Sequence, residues 1–127
     1  MILLNTFSGE KRIQLLLLET SLMVDNMNNI LSDGKNICDC SNEIWKIYAN
    51  LEYSIIVVKM YLNAENPGRF NQLKKVIGSN YDQLLQASDY LLKAISFFES
   101  KDYLLFLKYA RLARQTFGSI LLNIGKK

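Results

Sequence analysis

SNYDQLLQASDYLLKAISFFESKDYLLFLKYARLARQTFGSILLNIG, residues 79 to 125, decides the fold. Ser79 followed three residues later by Asp82 has the form of a capping box with the shorter acid, and an apolar pattern at helical spacing starts at once. Tyr81, Leu84, Ser88, Leu91, Ile95 and Phe98 stand three and four apart, which lays them along one stripe of a helix running to about Glu99. Ser100 or Asp102 caps the next helix. There Phe106, Ala110, Ala113, Phe117, Ile120 and Ile124 continue the spacing, and Gly125 supplies a left-handed stop. The alternation of Phe with Ala allows a close approach, so the spacing predicts an antiparallel helical hairpin turning at Ser100 to Asp102.

Outward from that hairpin the same grammar repeats. A first helix is expected from about Gly9 to Ser32, with Ser8 as its cap and Gly34 just past its end. Its stripe is Ile13, Leu17, Thr20, Val24, Met27 and Leu31. Lys35 to Ser41 reads as a polar loop. A second helix, Asn42 to Asn63 capped by Ser41, carries Ile44, Tyr48, Leu51, Ile55, Val58 and Leu62. The β-branched run Ile55 to Val58 has strand character, but the length of the segment decides for helix. Ala64 to Gly68 breaks the chain, and Asn66 before Pro67 resembles a cap followed by a first-turn proline, predicting a short helix from about Pro67 to Ile77. Gly78 and Ser79 separate it from the hairpin. The expected fold is all-α: one domain, residues 1–127, built as an up-down antiparallel four-helix bundle with an additional short helix.

Composition agrees. The chain is 50% hydrophobic and 21% charged, globular rather than disordered, and one proline with six glycines is too few breakers for an all-β fold. Apolar runs such as Leu15 to Leu18 fall well short of the roughly 20 residues that cross a bilayer. Met1 to Gly9 lacks a basic leader, so no membrane span or secretory signal is expected and the reading is cytoplasmic. Cys38 and Cys40 are too close in sequence for an unstrained intrachain disulfide and read as reduced thiols. No histidine and no second cysteine pair exist to complete a metal site. The histidine-based nucleophile pairs are excluded too, the glycines stand alone rather than in a phosphate loop, and the acids are dispersed. The chain therefore reads as non-enzymatic, with no catalytic residue, metal or cofactor.

The helices carry more apolar surface than one stripe each. Two positions from a core residue is about 200° around a helix, and there stand Leu15 and Leu22, then Tyr53, Val57 and Met60, then Tyr90 and Phe97, with Leu105, Tyr109 and Leu112 on the last helix. Apolar surface of that extent predicts a homodimer, and from Tyr53 to Leu112 these residues are its candidate interface. Charge is uneven as well. Residues 1–66 carry five bases against eight acids, a net of −3, and residues 67–127 ten bases against four acids, a net of +6. Lys101, Lys108, Arg111 and Arg114 on the last helix are the candidate nucleic-acid contacts, since sequence-independent binding needs clustered cations. For Arg114 the structural alternative is an ion pair with Asp82 or Asp89.

Ala-x-x-Tyr-Leu-x-x-Ala at 87 to 94, Phe98-Glu99-Ser100-Lys101-Asp102-Tyr103 at the turn, and Tyr109-Ala110 ahead of Leu121-Leu122 resemble the helical hairpin of HEPN-type domains. The resemblance covers about a third of the chain. HEPN proteins that cut RNA follow an arginine with a histidine, and no histidine follows Arg111 or Arg114. The resemblance thus implies a noncatalytic member that works by dimerisation or by binding nucleic acid or nucleotide.

Overall fold

The structure, a computed structural model, describes residues 9–62 and 78–125. Among these the chain is all-α, with no strand: α1 (Glu10–Ser32), a single 3-10 turn (Ile37–Cys40), α2 (Ser41–Leu62), α3 (Asn80–Glu99) and α4 (Tyr103–Gly125). Ser8, the Pro67 to Ile77 helix and the terminal lysines lie outside the described residues.

Helix ends follow local chemistry. The Ser79 hydroxyl accepts from the Asp82 N–H at 3.1 Å and the Asp82 carboxylate accepts from the Ser79 N–H at 3.3 Å, a complete capping box. Asp102 accepts from the Leu105 N–H at 3.3 Å and starts α4. Gly34, at φ +92°, ends α1 with its N–H on the Leu31 carbonyl at 3.0 Å. α3 ends the same way on Lys101 at φ +64°, where the Lys101 and Asp102 N–H groups donate to the Phe98 and Phe97 carbonyls at 3.0 and 2.9 Å. This is a Schellman motif with lysine where glycine is usual. The loop before α2 is more ordered than a polar linker: Asn36 accepts from the Cys38 N–H, the 3-10 turn follows, and α2 begins directly at Ser41 instead of after a Ser41 cap.

Each helix packs against two others, α1 and α4 both lying between α2 and α3. The start of α1 stands beside the α3–α4 turn, because Glu10 ion-pairs with Lys101. The end of α2 is there too, with the Tyr61 and Tyr103 rings edge to face at 5.7 Å. Every packed pair is therefore antiparallel, as expected. Leu62 and Asn80 stand at opposite ends, so α2 and α3 run the same way and the chain order is up, down, down, up.

The expected stripes of α1 and α4 form the core, with Ile13, Leu17, Met27, Phe106, Phe117 and Ile120 almost fully buried. Leu31, Leu62 and Ile124 pack at its ends. On α3 the buried line is Leu84, Ala87, Leu91, Ala94 and Phe98; Tyr81 is exposed, and Ser88 and Ile95 flank the line. The helix has turned its two alanines inward, where small side chains let α4 come close. Gly118 serves the α2–α4 contact, since a Cβ there would lie 3.1 Å from the Tyr48 ring.

Candidate association surface

Directly opposite its buried stripe, α1 presents Leu15, Leu18 and Leu22, which are 65%, 57% and 59% exposed. Spacings of three and four place them on one line. α2 does the same with Trp45, Ala49, Ile56 and Met60, with Glu52 between Ala49 and Ile56 at the edge of the line. Trp45 is 58% exposed and Met60 74%. Tyr53 borders this line on the side of α1, where the Arg12 guanidinium lies over its ring at 5.7 Å and ties the two outer surfaces together. Thr20 and Asn50 join the helices beneath: the Asn50 amide donates to the Thr20 hydroxyl at 3.1 Å, and that hydroxyl donates to the Leu16 carbonyl at 2.7 Å.

The expected interface residues divide. Tyr53 and Met60 are exposed, while Val57 is half-buried against the core. Tyr90, Phe97 and Tyr109 pack on one another between α3 and α4, with Phe97 stacked on Tyr109 at 5.6 Å and Tyr90 tilted against it at 6.3 Å. Leu105 is half-buried, and Leu112, at 7% exposure, is covered within the chain and offers no free surface. Leu18, Trp45 and Ile56 are exposed too and are not among the expected interface residues; their spacing from Leu15, Leu22 and Met60 is the signal that marks them.

The four basic candidates do not form an open stripe. The Lys101 ammonium pairs with Glu10, whose carboxylate also accepts from the Tyr103 hydroxyl at 3.2 Å. Burial, then the nearby Glu10 carboxylate, pushes the Tyr103 phenol up to about 12. Arg114 pairs with Glu52 on α2, not with Asp82 or Asp89. Those two acids are engaged locally, Asp82 in the cap and Asp89 with Lys93 at 3.3 Å. Arg111 is 9% exposed, and burial, reinforced by Arg114 and opposed by Glu52, lowers its pKa. Lys108 is exposed, with its ammonium over the Tyr109 ring at 5.5 Å. Among the described residues, both ion pairs between segments distant in sequence join an acid of the N-terminal half to a base of the C-terminal half, so the uneven charge is partly neutralised within the chain.

Cys38 is exposed and Cys40 buried, both free thiols; burial raises the Cys40 pKa, with Glu43 and Asp39 adding to it. Among the described residues no three His, Cys, Asp or Glu side chains gather to hold a metal. No helix among them is long and apolar enough to cross a membrane. Compared with protein-family models, with curated proteins and with solved structures, the chain matches none.

Proposed function

We propose that this protein works by protein association, as a homodimer joined through the outward faces of α1 and α2, and without a catalytic step. The observation that carries this reading is the pair of apolar lines opposite the core. At about 200 Å² for a large side chain, the exposed fractions of Leu15, Leu18, Leu22, Trp45, Ile56 and Met60 amount to roughly 700 Å². A standard interface buries about 800 Å² on each partner. Left in water, apolar surface on that scale is unfavourable, and exposed patches of several hundred Å² mark interaction sites. Binding of nucleic acid through the last helix is less well supported, because Lys101 and Arg114 are engaged in ion pairs and Arg111 is buried.

Light scattering on the purified chain tests the proposal. A mass of two chains is expected, falling to one for Leu18→Glu with helical circular dichroism unchanged. A wild-type mass of one chain at every concentration overturns it.

A further inference from the structure

Of the interfaces that join the described helices, the two that α1 makes, with α2 and with α3, are less extensive than the two that α4 makes with the same helices. α1 and α4 stand diagonally opposite, so α1 can leave with both interfaces of α4 intact, whereas loss of any other helix breaks at least one of them. We infer that α1 is a detachable strap: it undocks as a unit, at a free energy below that of global unfolding, and leaves α2, α3 and α4 packed together.

What holds α1 differs in kind from what holds α4. The apolar members of its buried face are Ile13, Leu17, Val24 and Met27, with no aromatic ring, and the polar Glu10 and Thr20 share that face. Among the described residues its side-chain ties to the other helices are polar or ionic: Glu10 to Lys101 and Tyr103, Thr20 to Asn50, and Arg12 over the Tyr53 ring. These groups regain water when α1 lifts, so the ties add little to the cost of opening.

α4, by contrast, is held by rings and by close approach. Phe106 and Tyr103 pack on Phe98 of α3 at centroid distances of 5.3 and 5.2 Å, and Ala87 and Ala94 are buried on the face of α3 that meets α4. On the other side Gly118 lets α4 approach the Tyr48 ring of α2. Apolar contacts of this kind have no replacement in water, and each of them joins α4 to a helix other than α1.

Hydrogen exchange read by mass spectrometry tests the strap on the full chain, at urea concentrations below the unfolding midpoint. Amides of α1 are expected to exchange about tenfold or more faster than those of Leu107 to Phe117 on α4, with a shallower urea dependence because less surface opens. Ala94→Gly, on α3, weakens the three helices that stay packed, so exchange on α4 rises about fivefold while α1 keeps its wild-type rate. Wild-type α1 amides as slow as those of α4, or an equal response of both helices to Ala94→Gly, would make the bundle a single cooperative unit and overturn the strap.

Discussion

The ammonium of Lys101, in the turn between α3 and α4, ion-pairs with the largely buried carboxylate of Glu10, the first residue of α1. The same lysine holds a left-handed backbone that ends α3. One residue thus closes a helix with its main chain and ties the chain's two halves with its side chain.

The two roles separate by substitution. Lys101→Ala keeps the left-handed cost of a residue with a Cβ and loses the ion pair; Lys101→Gly loses the pair as well but is relieved of that cost. Urea unfolding is expected to show Lys101→Ala less stable than Lys101→Gly by about 1 kcal/mol. The pair itself contributes toward the low end of about 1 kcal/mol, because the lysine is half in water.

Tyr103 gives the end of the bundle an alkaline limit. Its folded pKa, about 12, lies above the unfolded value of about 10. The stability it contributes is complete below pH ~10 and is lost as pH rises toward about 12, because the unfolded chain releases the proton first. Denaturant melts between pH 9 and 12 should fall more steeply for wild type than for Tyr103→Phe; parallel curves would disprove the assignment.

Gly78 precedes the capping box at φ +108°, and a Cβ there would stand 2.9 Å from the Asp82 Cβ. Gly78→Ala therefore strains the backbone and displaces the acid of the box together. Thermal melts should place it below Ser79→Ala, whose lost cap costs about 1 kcal/mol.

Gly118→Leu drives a side chain into the Tyr48 ring and is expected to destabilise by about 1–3 kcal/mol in chemical unfolding. Gly118→Ala needs the ring to give only a few tenths of an ångström and regains helix propensity, so its change should be much smaller.

Because Lys101 and Arg114 are paired and Arg111 is buried, RNA and DNA binding in a salt series should be undetectable even at low salt. A steep salt slope that shrinks in Lys108→Glu would restore the nucleic-acid reading.

By itself the sequence determined the four long helices, the Ser79–Asp82 capping box and the α3–α4 hairpin. These depend on neighbours in the chain: Ser79 reaches Asp82, Gly34 ends α1, and residues three and four apart share a face whatever lies beyond it. The placement of Leu15 and Leu22 away from the core stripe of α1 was equally legible, since it follows from the same spacing.

Only tertiary structure decided which neighbour each face meets. Spacing left the roll of α3 open by one residue, and packing against α4 settled it in favour of Ala87 and Ala94, turning Tyr81 outward. Leu112 and Met60 carry the same apolar signal; one is covered within the bundle and the other is not. Arg114 went to Glu52 because antiparallel α2 brings that acid level with it, while Asp82 and Asp89 were already held within α3. Periodicity describes a single helix, whereas burial and ion pairing are properties of the space between helices, and that space exists only once the chain has folded.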